Sequence, residues 1–219
     1  MLRSVLVLAW FMGCTGILAI SGPLAAAEKA DETPAPLPPA KSPAELEKEG
    51  FRPLIDKDLS QWKLDDEACK HWQVADGVVH YDGKGQDVWA RDSFGDCVLM
   101  VDWRLPAPGD SGVFVRGHWD AQVNIVPHTA GHIFGYVCND KLPAELRKAC
   151  SVTKDAAKPV GQWNRFLITV KGDQITVVLN GQEVVAPVAL PKLPKRGPVG
   201  LQNHGNPLDF ANIYIKELK

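Results

Sequence analysis

The sequence predicts a single domain folded as an antiparallel β-sandwich. Apolar runs of strand length recur along the chain, with turn residues between them roughly every 8–12 residues. Strands and helices do not alternate in the way that indicates a parallel sheet, and no internal repeat is present. The 19 glycines and 17 prolines agree with a turn-rich β fold.

Hairpin turns give the clearest local signals. Asn180-Gly181 lies between two β-branched runs, and Lys171-Gly172-Asp173 precedes it by one strand length, which predicts two successive hairpins. Asp76-Gly77 divides the run Trp72–Tyr81 in the same way. Cys97–Arg104 predicts one long strand, because eight residues without Gly or Pro precede Pro106.

Two shorter strands and two short helices complete the prediction. The strands are expected at Pro198–Gln202 and Phe210–Ile215. Ser42-Pro43-Ala44-Glu45 has the pattern of a capping box with proline at the first helical position, and Gly50 ends the helix. Leu142–Ala149 predicts about two helical turns within a loop.

The first 27 residues predict a signal peptide and therefore export to the periplasm or the extracellular space. Arg3 precedes an apolar stretch, and Ala25-Ala26-Ala27 offers a small-residue cleavage site. A lipoprotein cleavage at Cys14 and an uncleaved membrane anchor are the alternatives; cleavage after Ala27 leaves no membrane segment. Residues 28–49 are then a Pro/Ala-rich linker with the short helix, and residues 50–219 form the domain.

Charge and cysteine content limit the partners and the kind of site. A net charge of -2 and a pI near 6.3 argue against nucleic acid as a partner. In an exported protein four cysteines predict disulfides, for which we favour Cys138–Cys150 and Cys69–Cys97; buried thiols are the alternative. No pair has the C-x-x-C spacing of a zinc knuckle.

The stretch from Arg116 to Ile125 carries the most informative polar pattern. If the chain is extended there, its polar side chains share one face of a strand, and these types all bind sugar hydroxyls. They are Arg116, His118, Asp120, Gln122 and Asn124. The competing interpretation is an ordinary solvated strand face.

Further candidate residues lie elsewhere in the chain. Gln202 and His204 point the same way at a strand end, and Asp102 and Arg104 share a strand face either as a site or as an internal ion pair. Asp102 and Asp120 could form a glycosidase carboxylate pair, although their spacing does not require it. His118 and Asp120 could hold a divalent metal, but two ligands predict no definite site, and no cofactor is implied.

The chain resembles the bacterial domain of unknown function 1080, the 3-keto-disaccharide hydrolase domain, from Gly50 to Leu218. The resemblance rests on motifs in the expected order. They are Phe51-Arg52-Pro53-Leu54-Ile55, Asp58-Leu59-Ser60-Gln61-Trp62, Val101-Asp102-Trp103-Arg104, Asp110-Ser111-Gly112-Val113-Phe114-Val115-Arg116-Gly117, Gly161-Gln162-Trp163-Asn164, Asn180-Gly181 and Gly197-Pro198-Val199-Gly200-Leu201-Gln202-Asn203-His204-Gly205.

The resemblance implies a concanavalin-like jelly roll that cleaves 3-keto-glycosides by elimination and hydration. Such chemistry needs a base for the proton at C2 and a donor for the enolate oxygen. We expect His204 or Asp120 as the base and Arg116 at the oxyanion. The expected substrate-binding residues are Gln122, Asn124, Gln202, His118 and Arg104.

The chain departs from the family at three positions. Asp110 replaces the usual Asn, Asp120 replaces the usual Glu, and Ala211 replaces an arginine. These changes leave two other possibilities open: a sugar-binding, lectin-like module of the same fold that has lost turnover, and an accessory subunit of another secreted enzyme.

Overall fold

The computed structural model describes residues 41–126, 135, 137 and 142–219. The predicted signal peptide and the linker as far as residue 40 lie outside the described residues. In the part of the chain that is described, no helix has the length and apolar character needed to cross a bilayer.

Two antiparallel sheets form a β-sandwich, which confirms the predicted fold class. The described strands are β1 (Arg52–Pro53), β2 (Trp62–Lys63), β3 (Trp72–Ala75), β4 (Val78–Tyr81), β5 (Val88–Ala90), β6 (Cys97–Arg104), β7 (Ser111–Phe114), β8 (Gln122–Ile125), β9 (Asn164–Lys171), β10 (Gln174–Leu179), β11 (Gln182–Ala189), β12 (Gly200–Leu201) and β13 (Leu208–Glu217). The eight-stranded sheet, called here the large sheet, has the order β11-β10-β9-β6-β13-β4-β3, with β1 beside β13. The five-stranded sheet, called the small sheet, has the order β2-β5-β12-β7-β8.

The hairpins form where the turn residues predict them. Asp76-Gly77 joins β3 to β4 with positive φ at both residues (51° and 75°), and Asn180-Gly181 joins β10 to β11 with φ of 50° and 83°. Positive φ at both central residues suits the right-handed twist of the flanking strands, and Asn and Gly tolerate it best. The predicted strand at Pro198–Gln202 is shorter than expected, and the one at Phe210–Ile215 is longer.

Three short helices accompany the sheets. Helix α1 (Pro43–Lys48) has the predicted capping box: Ser42 Oγ accepts from Glu45 N at 3.3 Å, and Ser42 N donates to Glu45 Oε2 at 2.8 Å. Helix α3 (Ala144–Ala149) falls within the predicted Leu142–Ala149 segment. Helix α2 (Ala68–His71), a single turn, was not predicted.

Alternation along the strands separates a shared core from two outer faces. In β6, Leu99, Val101 and Trp103 are buried in the core, so Asp102 and Arg104 project from the opposite face of the large sheet. In the small sheet, Val113 and Leu201 face the core. The molecule therefore has two outer faces with different side chains, one on each sheet.

Helix α1 lies on the outer face of the large sheet. Leu46, 3% exposed, lines an apolar cavity of about 280 Å³ together with Met100, Leu167 and Val178, all outward-facing residues of that sheet. Burial of a leucine contributes about 1.5–3 kcal/mol relative to exposure, which is enough to fasten so short a helix.

Candidate functional site

Three groups of side chains share the outer face of the small sheet and its end. The amide cluster consists of Gln122, Asn124 and Gln202. The aromatic row consists of Trp89, Phe114 and Trp119. The acid–histidine group consists of Asp87, Asp110 and His204.

Strand register brings the amide cluster together. Gln122 pairs with Phe114 and Asn124 with Gly112 on β7, while Gln202 N donates to Gly112 O at 2.9 Å from the other side. Side chains on the same face of one strand repeat every two residues, about 7 Å apart. Two distant stretches of sequence thus meet on one surface, and the predicted contact of these three amides with a substrate stays a prediction.

The cluster is buried and keeps hydrogen-bonding capacity for a ligand. Gln122 and Gln202 are 7% and 9% exposed, and Gln122 Nε2 donates to Gln202 Oε1 at 2.6 Å. Among the described residues, Gln122 Oε1 and Gln202 Nε2 have no partner. They therefore offer one acceptor and one donor side by side, a combination that suits a sugar hydroxyl.

Gly112 allows this packing. A Cβ at Gly112 would stand 2.2 Å from Gln122 Nε2, so only glycine lets the glutamine side chain lie flat across β7.

The acid–histidine group lies at the end of the small sheet. Asp110 precedes β7 and His204 follows β12, which runs antiparallel to β7, so both residues reach the same end. His204 Nδ1 is 3.4 Å from Asp110 Oδ2, and the two side chains are 55% and 32% exposed. An imidazole beside a carboxylate is the arrangement of an oriented general base.

Asp87 is a member of this group that the sequence did not reveal. Its Oδ1 accepts from Asn203 N at 2.7 Å, next to His204 in the chain. Partial burial raises the pKa of Asp87, against the opposing effects of the Asn203 N–H and the nearby His204. A half-buried carboxyl with a raised pKa beside an imidazole is typical of functional sites.

The loop that carries His204 is held by side-chain contacts. Tyr81 Oη makes a short hydrogen bond with Asn203 Oδ1, and Asn203 Nδ2 donates to Gly85 O at 2.6 Å. Asp110 N donates to Asn206 Oδ1 at 3.0 Å, which ties the loop to the start of β7. These contacts fix the backbone on both sides of His204.

The structure does not bring Arg116 together with His204, so the geometry does not support its predicted role at an oxyanion. It follows β7 at the other end of the strand, and Asp110 to Val115 alone spans roughly 17 Å. Its guanidinium, 2% exposed, is fully engaged elsewhere. It donates to Gly95 O at 3.2 Å, Gly172 O at 2.6 Å, Pro194 O at 3.0 Å and Asp96 Oδ1 at 2.7 Å.

The chain from Arg116 to Ile125 is not extended throughout, so the condition for one shared polar face is not met. Arg116 and Gly117 both have positive φ (52° and 62°), and Trp119–Ala121 form a 3-10 turn before β8 begins. Asp120 and His118 therefore lie in the β7–β8 connection, at the Arg116 end, with His118 Nδ1 accepting from Asp120 N at 3.2 Å. Neither residue joins the acid–histidine group.

Arg104 and Asp102 lie on the outer face of the large sheet, away from the amide cluster. Arg104 Nε and Nη2 both donate to Asp209 Oδ2, at 3.0 and 2.6 Å. Asp102, 0% exposed, pairs with Arg165 Nη2 at 2.6 Å. Asp102 and Arg104 therefore do not pair with each other, and Asp102 lies on the large sheet whereas Asp120 lies in the β7–β8 connection of the small sheet, so neither the predicted ion pair between Asp102 and Arg104 nor the Asp102–Asp120 carboxylate pair forms. The substrate contact of Arg104 stays a prediction, on the sheet that does not carry the amide cluster.

The aromatic row crosses the small sheet next to the amide cluster. Trp89 stacks on Phe114 (centroids 5.2 Å apart, 22° between planes), and Trp119 meets Phe114 edge-on at 4.9 Å. Trp119 is 58% exposed, whereas Trp62, Trp72 and Trp103 are buried in the core. Exposed aromatic rings beside hydrogen-bonding groups are common in sugar-binding surfaces.

The predicted Cys69–Cys97 disulfide does not form. Both are free thiols: Cys69 is exposed on α2, and Cys97 is buried in β6, three strand positions from β3, which follows α2. That separation exceeds the Cα distance that a disulfide spans. Cys138 lies outside the described residues, so Cys138–Cys150 stays a prediction; Val137, the residue before Cys138, donates its N–H to Cys150 O at 3.0 Å.

No three His, Cys, Asp or Glu side chains converge to form a metal site within residues 41–126, 135, 137 and 142–219. The predicted His118–Asp120 pair therefore has no third such ligand there.

Solved structures share this architecture. One glycosyl hydrolase candidate from Parabacteroides distasonis is 20% identical over 80% of this chain and 97% of its own, with a TM-score of 0.64. A second from the same organism is 24% identical over 77% and 84%, with a TM-score of 0.60. SCLam, a non-specific endo-β-1,3(4)-glucanase, is 9% identical over 85% and 95%, with a TM-score of 0.51. At these identities the similarity shows the fold alone.

Comparison with curated protein sequences gives no match. A family model does match, and it covers residues 50–216, three quarters of the chain and nearly all of the sandwich. The chain therefore belongs to the family of 3-keto-alpha-glucoside-1,2-lyase-like domains.

Proposed function

We propose that the protein cleaves 3-keto-glycosides on the outer face of the small sheet, with His204 as the base. The observation that carries the proposal is the position of His204, 3.4 Å from Asp110 and adjacent to a buried amide cluster with a donor and an acceptor available. The family to which the chain belongs supports the same chemistry.

The reaction follows from the acidity of the substrate. A ketone at C3 acidifies the C2 proton, which His204 removes, and the electron pair of the C2–H bond forms the enolate. Collapse of the enolate breaks the C1–O bond, the leaving oxygen takes a proton, and water then adds across C1=C2. The net result is hydrolysis. A positioned base contributes about 10²–10⁴-fold to such a proton transfer.

Stabilisation of the enolate falls to neutral donors in this proposal. The Arg116 guanidinium is bound at the far end of β7, so it cannot reach the oxygen. Gln202 Nε2 is available beside the acid–histidine group, and oriented amide donors stabilise oxyanions in water-excluded sites. Asp110 would hold the imidazole and stabilise the imidazolium that forms.

A chromogenic aryl 3-keto-glucoside tests the proposal through aglycone release. We expect His204→Ala to reduce kcat/KM by about 100-fold or more. His80→Ala is the matched control, because His80 also pairs with a carboxylate (Asp209, 2.7 Å) and is 49% exposed, but on the large sheet. A His204→Ala rate within about threefold of wild type would exclude His204 as the base.

Isotopic labelling distinguishes elimination from ordinary glycoside hydrolysis. A substrate deuterated at C2 should react more slowly than the protiated one, because the C2–H bond breaks. Retention of all C2 deuterium in the sugar product would exclude the elimination route.

A lectin-like module is the second candidate, and the exposed Trp119 beside the amide cluster favours it. Calorimetric binding of a 3-keto-glucoside by wild-type protein without turnover would support this alternative.

Export through residues 1–27 also belongs to the proposal; the N-terminal sequence of protein recovered outside the cytoplasm tests it.

A further inference from the structure

The loop between β4 and β5, residues 82–87, lies against the loop that carries His204, residues 202–207. Asn203 Nδ2 donates to Gly85 O at 2.6 Å, and Asn203 N donates to Asp87 Oδ1 at 2.7 Å. The residue before His204 is therefore bonded twice to the β4–β5 loop.

The main chains of the two loops are also in contact. A Cβ at Gly83 would lie 3.1 Å from both Asn206 C and Pro207 N, so the backbones approach as closely as glycine allows. Gly205 N donates to Asn203 Oδ1 at 2.9 Å, which closes the turn around His204 on the side chain that the β4–β5 loop holds. The conformation of the β4–β5 loop thus determines that of the His204 loop.

His71, the last residue of α2, holds the β4–β5 loop through a separate set of contacts. Its Nδ1 lies 3.0 Å from Asp82 Oδ2, and its Nε2 lies 3.3 Å from Glu67 Oε1. The ring also packs on Gly85, where a Cβ would be 2.9 Å from His71 Cδ2. His71 therefore contacts the residue whose carbonyl binds Asn203.

The charges around His71 favour its protonated form. Each ring nitrogen faces a carboxylate, and only the imidazolium can donate from both nitrogens. The bond to Asp82, opposed by desolvation and aided by the bond to Glu67, raises the pKa of His71. Two lysines complete the charged surroundings: Lys70 Nζ lies 2.6 Å from Glu67 Oε2, and Lys84 acts on Asp82 from within the loop.

We propose that His71 is a positioning residue, whose imidazolium fixes the β4–β5 loop and, through Gly85 and Asn203, holds His204 in its reactive place. The inference rests on the proposed function, because the reaction at His204 is what the contacts serve. His71 acts through the loop and not on the substrate.

The two histidines should have opposite effects on the pH dependence of turnover. His204 must be neutral to act as a base, so kcat/KM should rise as His204 loses its proton. The pKa of His71 is raised, so its contribution is present below the ordinary value of 6.5 and is lost as the pH rises through the raised pKa. The pH profile should therefore fall again on its alkaline side.

His71→Leu tests the inference with the aryl 3-keto-glucoside. At neutral pH kcat/KM per folded molecule should be about tenfold lower, because small displacements of a base are costly, and the alkaline fall should be absent. Asp82→Asn is a milder second variant, since its amide oxygen can still accept from Lys84 N, and it should act in the same direction. The double variant should lose no more than the larger single loss, because both changes remove one interaction.

His80→Leu is the matched control. His80 also faces a carboxylate, Asp209 Oδ1 at 2.7 Å, but on the outer face of the large sheet, so its variant should keep the wild-type rate and profile. Folded His71→Leu with a rate within about threefold of wild type would overturn the inference and leave His204 as the base. A lower rate with the alkaline fall retained would overturn it too, because that fall would then come from another group.

Amide hydrogen exchange separates failure of this inference from failure of the proposed function. The protection factors of the Asn203 and Gly205 amides should drop about tenfold in His71→Leu, and in wild type as the pH rises through the pKa of His71. If wild-type protein turns over no 3-keto-glycoside, those drops support the positioning of the His204 loop without the chemistry. Equal protection in wild type and His71→Leu refutes the positioning role, whatever the turnover.

Discussion

Replacement of Arg116 separates a structural role from a catalytic one. Arg116→Met keeps much of the side-chain volume but removes the guanidinium, which bonds three backbone carbonyls and Asp96. Each hydrogen bond to a charged group contributes about 1.5–3 kcal/mol, and breaking a buried pair costs about 3–5 kcal/mol. Asp96 is 40% exposed and can be rehydrated, so we expect a loss near the lower figure, about 3 kcal/mol.

Urea unfolding measures that loss, and aryl 3-keto-glucoside turnover of the folded fraction is measured beside it. We expect kcat/KM per folded molecule to stay within about threefold of wild type, because Arg116 lies at the far end of β7. Arg196→Met is the matched control: Arg196 is 56% exposed and pairs with Glu217, so its loss should cost under about 1 kcal/mol. A stable Arg116→Met protein with turnover reduced about 100-fold would refute the structural role and restore the oxyanion assignment.

Three further predictions concern the site and the thiols. Folding raises the pKa of Asp87, so the folded protein holds the Asp87 proton more tightly than the unfolded chain does. The free energy of unfolding should therefore fall as the pH rises from the ordinary pKa of 3.8 through the raised pKa. Urea titrations at several pH values should show this fall in wild type and not in Asp87→Asn. Gly112→Ala should displace the buried Gln122 and break its bond to Gln202, which should lower the unfolding free energy by about 1–3 kcal/mol. We expect kcat/KM on 3-keto-glycosides per folded molecule to fall about tenfold; unchanged kinetics would contradict the role of the amide cluster. Burial raises the pKa of Cys97 to about 11, so its thiol is protonated at pH 8. Iodoacetamide at pH 8 should therefore label the exposed Cys69 in the native protein, and Cys97 only after unfolding. Peptide mass mapping of the labelled protein checks both outcomes.

Local patterns predict the hairpins because local physics decides them. Asn180-Gly181 adopts positive φ at both residues, a conformation that Asn and Gly tolerate with little strain, whatever the rest of the fold. The helix at Pro43–Lys48 follows from Ser42 and Glu45, which satisfy each other's backbone donors. In both cases the atoms that determine the conformation lie within a few residues of each other.

The segment from Arg116 to Ile125 is not one extended strand, because distant groups set the backbone around Arg116. The Arg116 guanidinium is bound by carbonyls 21, 56 and 78 residues away in the sequence, and that binding accompanies its positive φ. Alternation of residue types contains no information about such partners. The alternation rule holds again from Gln122, where β8 begins, and there it correctly placed Gln122 and Asn124 on one face.

Asp87 and Trp89 were missed for a different reason. β5 has only three residues, too few for a periodic signal, and one of its two neighbours in the sheet is β12, more than 100 residues further along the chain. The sequence does place Asp87 and Trp89 two residues apart, the spacing of one strand face. Only the strand order brings that face beside Gln202 and His204.

The position of helix α1 on the large sheet determines from which side the domain can be attached to a surface. The described chain enters at Lys41, against the sheet that does not carry the amide cluster. A sensor chip, resin or fusion partner coupled at Lys41 would thus lie on the side of the large sheet. Immobilised protein should present Trp89 and His204 to the flowing solution, and its affinity for a keto-sugar should match that of the unattached domain.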